Sequence, residues 1–217
     1  MNLEQARFNM IEQQIRPWEV LDPTILNLLN DLPREDFVPE GFRNLAYADI
    51  EIPLGHGQSM MPPRVEARAL QALGVKASDL VYEIGTGSGW LTACLARLGR
   101  HVVSKELHQD LSDQAAKRLG SAGFQNVTLE VGDALAHTES EDRYDVIVAT
   151  GSFPVMPQWL QGWLKIGGRL FVVTGEEPAM EAWLITRVGE KEWSSENLFE
   201  TVLAPLENVP QPAKFVF

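Results

Sequence analysis

Apolar residues recur at helical spacing along the first part of the chain. The first run consists of Leu3, Phe8, Ile11 and Ile15. This period of three to four residues predicts a helix that ends at Arg16-Pro17. A second helix is predicted to start at Asp22-Pro23, and a third covers residues 64–73. Between them, residues 52–63 carry so many prolines and glycines that we expect no regular structure there.

From about residue 78 onward, short apolar runs alternate with amphipathic segments. Strands are predicted at residues 80–84, 101–104, 127–131, 144–149, 169–173 and 198–206. Helices are predicted at residues 90–98 and 109–119. Because short apolar strands separated by helices are typical of a mainly parallel sheet covered on both faces, we predict a doubly wound α/β fold.

Composition narrows the class of protein. The chain has 217 residues, of which 45% are hydrophobic, so it is long and apolar enough to bury a core. One cysteine, Cys94, leaves no disulfide framework within the chain, which favours a reducing, cytoplasmic compartment. We expect no signal peptide and no membrane partner, because acids interrupt residues 1–20 and no apolar run is long enough to span a bilayer. The net charge of −12 argues against nucleic acid as a partner.

Residues 83–89 read Glu-Ile-Gly-Thr-Gly-Ser-Gly, at the point where the first core strand should turn into a helix. A phosphate-binding P-loop is excluded because Trp90, not lysine, follows the last glycine. A dinucleotide fingerprint is excluded because Trp90 also stands three residues after Gly87. The spacing fits a third ligand, S-adenosylmethionine. Glu83 would meet its cationic amino group, and the bare backbone would make room for its sulfonium chain.

Two further acids follow the next two strands. Glu106 ends the second core strand, where a carboxylate can accept both hydroxyl groups of a ribose. Asp133 follows the third strand, where it can accept from an adenine amino group. Simpler interpretations stay open: the glycines only form a turn, Glu106 is a solvated acid at a helix start, or Asp133 is a helix cap. The combination favours S-adenosylmethionine.

At these residues the chain resembles the class I methyltransferases, and more specifically the protein-L-isoaspartate O-methyltransferase family. The specific motifs are Leu-Pro-Arg-Glu-Asp-Phe-Val-Pro at 32–39, Ala-Tyr-Ala-Asp at 46–49 and Pro-Leu-Gly-His-Gly-Gln at 53–58. The resemblance covers most of the chain. It implies a Rossmann-like domain with a seven-stranded sheet, S-adenosylmethionine as cofactor and S-adenosylhomocysteine as product. The implied acceptor is a carboxylate, such as that of an L-isoaspartyl residue in a damaged protein or peptide.

The resemblance also implies which parts of the chain bind the acceptor and which bind the cofactor. Residues 1–75 would form N-terminal helices and an acceptor-side loop, and residues 76–217 would form the cofactor-binding core of the same domain. No metal is expected. The expected cofactor-binding residues are Gln58, Met61, Glu83, Gly85, Thr86, Gly87, Ser88, Gly89, Glu106, Leu107, Gly132, Asp133, Ala134 and Thr150.

One position departs from the family pattern. Met61 stands where the family carries its active-site serine, and methionine cannot donate a hydrogen bond. Ser59, two residues earlier, is our candidate for the missing hydroxyl, and His56 is the candidate base. A carboxylate acceptor is already ionised at pH 7 and needs no base. Two alternatives stay open: another small-molecule or protein acceptor, or a cofactor-binding protein without catalysis.

The remaining histidines, His101, His108 and His137, are expected at strand or helix ends on the surface side. None of them is therefore predicted to lie in the site.

Overall fold

The computed structural model describes residues 2–136 and 141–210. Its α-helices are α1 (Leu3–Met10), α2 (Pro23–Asp31), α3 (Pro63–Leu73), α4 (Trp90–Leu98), α5 (Gln109–Ser121) and α6 (Gln158–Gly162). Its strands are β1 (Ile52–Gly55), β2 (Gln58–Met60), β3 (Leu80–Ile84), β4 (His101–Glu106), β5 (Val127–Val131), β6 (Tyr144–Phe153), β7 (Leu164–Glu176), β8 (Ala179–Gly189) and β9 (Glu192–Thr201).

Strands β3 to β9 form one seven-stranded sheet in the order β5-β4-β3-β6-β7-β8-β9. The pairs among β3 to β7 are parallel, β8 is antiparallel to β7, and β9 is antiparallel to β8. The predicted Rossmann-like α/β fold with a mainly parallel sheet is confirmed. Because β4 and β6 both pair with β3, the strand order reverses there. Ligands of open α/β sheets bind in the crevice at such a switch point.

The last two strands differ from the prediction. The sequence predicts no strand at residues 179–189. The late strand predicted at 198–206 shares only residues 198–201 with β9. For β9 the reason is the exposure of its side chains to solvent. Most side chains of β9 face solvent, including Glu192, Glu196 and Glu200, so the strand carries no apolar run. Among the described residues β9 has one neighbour, β8, and forms one edge of the sheet, whereas β5 forms the other.

The two faces of the sheet are covered differently. The N-terminal helices, α3, α4 and α5 pack over one face. Aromatic rings cover much of the other face: Tyr82 lies 4.8 Å from Tyr144, and Trp163 packs edge-on against Tyr82. Trp159 in turn packs on Trp163, and the short helix α6 adds Leu160. Tilted and edge-on rings therefore replace long helices as the cover of this second face.

The N-terminal helix runs slightly further than its proline predicts. After α1 the backbone continues as a π-helical turn at Ile11–Ile15 and a 3-10 turn at Arg16–Trp18. It ends at Glu19, whose φ of 60° lies in the left-handed region. Helix α2 starts where predicted, because Asp22 caps it by accepting a hydrogen bond from the Thr24 backbone N–H at 2.7 Å.

The expectation of no regular structure at residues 52–63 is wrong for part of that segment. Strands β1 and β2 pair as an antiparallel hairpin, with Pro53 opposite Ser59. Residues 55–57 all have positive φ values, so the glycines of this segment form the tight turn that a hairpin needs. The hairpin brings Ser59 to the carboxyl ends of the central strands.

Candidate functional site

A cleft opens at the carboxyl ends of β3, β4, β5 and β6. It holds about 760 Å³, including space open to solvent. The loops after these strands form one side, and the β1–β2 hairpin and the chain after β9 form the other. The predicted site residues that line it are Gln58, Ser59, Gly85, Gly87, Glu106, Leu107, Gly132, Asp133, Ala134 and Thr150.

Gly85 forms the floor of the cleft where β3 ends. Its φ is +89°, a conformation that L side chains rarely adopt. The Thr150 hydroxyl of β6 lies 3.0 Å from the Ile84 carbonyl oxygen and 2.8 Å from that of Gly85. A Cβ at Gly85 would overlap this hydroxyl. The floor is therefore bare backbone because β3 and β6 approach each other too closely for a side chain.

Glu106 lines the cleft with a carboxylate that is buried from solvent. One oxygen accepts from the Gly87 backbone N–H at 2.8 Å, and the other accepts from the His108 backbone N–H at 3.1 Å. The alternative of a solvated acid does not describe this environment. Each carboxylate oxygen can accept a further hydrogen bond, so the group can hold two hydroxyl donors as predicted.

Asp133 is a capping residue that also lines the cleft. One carboxylate oxygen accepts from the Leu135 backbone N–H at 2.8 Å, which caps the short turn after β5. The other accepts from the Asn208 side-chain amide at 3.0 Å. The residue also lines the cleft, so capping fixes its carboxylate at the ligand side of β5.

Glu83 does not line the cleft. Its position therefore does not support the predicted contact with a ligand amino group. Its fully buried carboxylate accepts from Ser104 at 2.6 Å and from Thr92 at 2.5 Å. The Ser104 hydroxyl lies 2.6 Å from that of Thr86 in the glycine loop. Glu83 therefore supports the loop from below. Gly89, which also lies outside the cleft lining, is the N-cap of α4.

We expect Glu83→Gln to remove a pH-dependent loss of stability. Burial raises the pKa of Glu83 to about 8, above its ordinary value of 4.5. Between these values the folded state holds more protons than the unfolded state. This group therefore makes the free energy of unfolding fall with rising pH, by at most about 1.4 kcal/mol per unit. A glutamine side chain cannot titrate. The free energy of unfolding of the variant, relative to wild type, should therefore improve from pH 5 to pH 8.

Urea unfolding at pH 5, 6.5 and 8 measures this difference. The exposed Glu40→Gln serves as the control and should track wild type at all three values. Parallel pH profiles for wild type and Glu83→Gln would contradict the assignment.

A smaller pocket adjoins the cleft beside β2. Ser59, Gly85 and Thr150 line both spaces, so the two meet at these residues. Met60 and Met61, both buried, form an apolar wall of the smaller pocket. Two more predicted residues, Thr86 and Ser88, also line it. The Ser59 hydroxyl donates to the Glu51 carboxylate at 2.8 Å.

Arg34, from the motif at 32–39, supports this wall from inside. Its guanidinium is 1% exposed and pairs with the buried Glu66 carboxylate at 3.1 Å. It also donates to the backbone carbonyls of Ala46 and Met61, each at 2.8 Å. Burial raises the pKa of Glu66. The motif therefore fixes the position of Met61, although none of its residues lines the cleft.

The histidines are arranged differently from the prediction. His56, the candidate base, does not line the cleft, and its Nε2 lies 2.9 Å from the Asp110 carboxylate. The expectation that His108 lies on the surface side is wrong, because it lines the cleft and its ring stacks on that of His56 at 4.0 Å. His101 is near Thr128. His137 lies outside the described residues.

The C-terminal strap, residues 203–207, lines the cleft without having been predicted as part of the site. Ser152 of β6 holds it: its N–H donates to Ala204 O at 2.9 Å, and its hydroxyl donates to Leu203 O at 2.7 Å. At Gly151 a Cβ would come within 2.8 Å of Leu206. These contacts join segments some 50 residues apart, so no local sequence pattern predicts them. The other lining residues missed are Leu54, Ile84, Lys105, His108, Leu111, Leu135, Gly151 and the strap residues Leu203, Ala204, Leu206 and Glu207.

The charges of the cleft favour a cationic ligand over a polyphosphate. Of the described residues that line it, Glu106, Asp133 and Glu207 are acids and Lys105 is the single lysine or arginine. Lys105 is itself engaged with Glu130 at 3.6 Å. With the bare glycine floor and the buried carboxylate, this lining fits the predicted S-adenosylmethionine.

The described part of the chain has neither a metal-binding cluster nor a membrane-spanning helix. No group of three or more histidines, cysteines or acids there is arranged to hold a metal ion. No helix within residues 2–136 and 141–210 has the length and apolar character that crossing a membrane requires.

Sequence comparison finds the same family along almost the whole chain. Residues 5–210 match the family described as protein-L-isoaspartate(D-aspartate) O-methyltransferase. A protein-L-isoaspartate O-methyltransferase of Rhodopseudomonas palustris is 36% identical over 210 residues, covering 94% of this chain and 96% of its own. Protein-L-isoaspartate O-methyltransferase 2 of Pelobacter propionicus is also 36% identical, covering 94% of this chain and 92% of its own.

Structure comparison agrees at the level of the fold. A crystal structure from Plasmodium falciparum, described as a protein-L-isoaspartate O-methyltransferase in complex with S-adenosyl-L-homocysteine, superposes with a TM-score of 0.79. The match covers 95% of this chain and 99% of that one, at 19% sequence identity.

Proposed function

The chain belongs to the protein-L-isoaspartate(D-aspartate) O-methyltransferase family, and from this we propose how its residues methylate L-isoaspartyl carboxylates in proteins or peptides. As a member it is an S-adenosylmethionine-dependent methyltransferase. The observation that carries the proposal is the junction of cleft and smaller pocket at Ser59, Gly85 and Thr150. At such a junction a methyl donor and an acceptor can lie side by side.

In the proposed arrangement the cleft residues hold the cofactor, whose sulfonium supplies an electrophilic methyl group. Glu106 accepts from the ribose hydroxyls, and Asp133 lies at the adenine side. Gly85 and Gly87 let the rest of the cofactor approach the backbone. These residues contribute position rather than proton transfer, which is the main requirement of an in-line displacement.

The acceptor side needs no general base, because an isoaspartyl carboxylate is ionised at pH 7. Ser59 and Thr150 both bring a hydroxyl to the junction. Because the Thr150 hydroxyl donates to the backbone carbonyls of β3, we assign Ser59 to the acceptor carboxylate. To donate there, its proton must leave Glu51. Met60 and Met61 exclude water from the same space. Residues 1–75 thus supply the acceptor hydroxyl and its apolar wall, and the described residues after 75 supply most of the cofactor cleft. The single buried Cys94 fits a cytoplasmic location.

Methyl transfer tests the proposal directly. The protein is incubated with methyl-labelled S-adenosylmethionine and either an isoaspartyl peptide or the same peptide with ordinary aspartate. We expect a base-labile methyl ester on the isoaspartyl peptide alone. Transfer no greater than that of heat-inactivated protein would overturn the proposed acceptor.

Ser59→Ala should lower kcat/KM for the isoaspartyl peptide by about 3- to 10-fold, the value of one net hydrogen bond. The KM for S-adenosylmethionine should stay near wild type, since only the acceptor contact is lost. Ser195→Ala, at an exposed position of β9, is the matched control. Equal losses with the isoaspartyl peptide in both variants would contradict the role of Ser59.

A second substitution asks whether the two hydroxyl positions are equivalent. Met61→Ser in the Ser59→Ala background should recover part of the lost kcat/KM, because it restores a donor on the same wall. No recovery, with the double variant still folded, would show that the donor must stand at residue 59.

A further inference from the structure

Five polar side chains meet at the mouth of the cofactor cleft. They come from four separate elements: the β1–β2 hairpin, the loop after β4, the first turn of α5 and the C-terminal strap. We call this group the clasp; its members are His56, Gln58, His108, Asp110 and Glu207. Three of them, Gln58, His108 and Glu207, line the cleft, whereas His56 and Asp110 lie outside it.

The contacts within the clasp form one continuous series across the mouth, which we call the circuit, with Gln58 and Asp110 at its two ends. Glu207 accepts from the Gln58 amide at 3.0 Å and lies 2.6 Å from His108 Nε2. The His108 ring stacks on that of His56, with 4.0 Å between centroids and 9° between planes. His56 links the series to Asp110, with 2.9 Å between Nε2 and the carboxylate. The hairpin is therefore tied to both the strap and α5.

The exposure of these groups indicates a reversible closure rather than a structural support. The side chains of His56, Asp110 and Glu207 are 42%, 60% and 40% exposed. Exposed ion pairs of this kind contribute little to the free energy of folding. The preceding strap residues are fixed to Ser152, but the hydrogen bonds found for the Glu207 side chain all lie within the clasp.

We propose that the clasp retains the bound cofactor, and that it opens to admit S-adenosylmethionine and to release S-adenosylhomocysteine. Asp110 and His56 are then positioning residues, since they act on the cleft through His108. The proposal rests on the proposed cofactor site. It predicts that breaking either end of the circuit speeds release of the product while leaving the fold intact.

The test measures dissociation of radiolabelled S-adenosylhomocysteine from the full chain during a chase with unlabelled compound. Asp110→Ala and Glu207→Ala should each raise the dissociation rate by about 2- to 5-fold, as expected for loss of a weak exposed contact. The KM for S-adenosylmethionine should rise in both, and the melting temperature should match wild type. Asp110→Ala, which changes a residue outside the cleft, should also keep the wild-type kcat. The double variant should be little faster than either single one, because both open the same circuit.

Matched controls separate the clasp from general surface charge and from direct contact. Asp113→Ala on α5 and Glu196→Ala on β9 remove exposed acids outside the clasp, and both should release at the wild-type rate. If Glu207→Ala is faster but Asp110→Ala is not, Glu207 acts by touching the ligand, and the clasp is overturned. If the wild type binds no S-adenosylhomocysteine, the cofactor site itself is overturned. Retained binding with unchanged rates would overturn the clasp alone.

Discussion

Arg34→Met is expected to cost about 3–5 kcal/mol of the free energy of unfolding, because it leaves the buried Glu66 carboxylate without its counter-charge. The backbone carbonyls of Ala46 and Met61 also lose their donor. Protonation of Glu66 relieves part of the cost, since its pKa is already raised by burial. The loss should therefore grow with pH. Urea unfolding at pH 6 and pH 8 measures both the loss and its slope.

Two comparisons make this result specific. Arg43→Met breaks an ion pair with Asp36 whose side chains are each 51% exposed, and should cost under about 1 kcal/mol. Arg34→Met combined with Glu66→Leu should regain part of the stability, because the uncompensated charge is gone. A single variant as stable as Arg43→Met would contradict the structural role of the motif at 32–39.

The second large effect concerns the cofactor. Glu106→Ala removes a buried carboxylate that we expect to hold the ribose hydroxyls, and it also frees the backbone N–H groups of Gly87 and His108. Hydrogen bonds to a charged group contribute about 1.5–3 kcal/mol, so the dissociation constants of S-adenosylmethionine and S-adenosylhomocysteine should rise about 10- to 150-fold. Both should rise alike because the two ligands share the adenosyl group. Titration calorimetry measures both constants.

Asp113→Asn is the control for this variant. It changes an exposed acid on α5 and should leave both constants unchanged. Weaker binding of one ligand only would place Glu106 near the sulfur instead of the ribose. Unchanged binding of both would remove it from the site.

The sequence predicts best those parts of the fold that rest on local patterns. Strands β3 and β6 are buried and mostly apolar, β5 is a short run of alternating apolar and polar residues, and the glycine loop follows β3 directly. Each of these features depends on a few neighbouring residues, so spacing alone identifies it. The exposed strand β9 and the strap pairing at Ser152 depend on residues far apart in the chain, and their local composition resembles that of a loop.

The direction of the Glu83 side chain follows from the alternation of side chains along a strand. Successive side chains of a strand point to opposite faces, and the next residue, Ile84, lines the cleft. The alternation of β3 therefore already directs Glu83 away from the ligand and toward α4. The two-residue distance from the first glycine suggested a direct contact, but side-chain direction decides the outcome.

The outer edge of β9 also bears on how the protein behaves at high concentration. An uncovered sheet edge offers free N–H and C=O groups to which another chain can add as a further strand, which is a common start of aggregation. Here the edge carries Glu192, Glu196 and Glu200 along its length. A second copy adding there would bring like charges together. The acidic side chains of β9 thus protect this edge of the sheet from pairing with another chain.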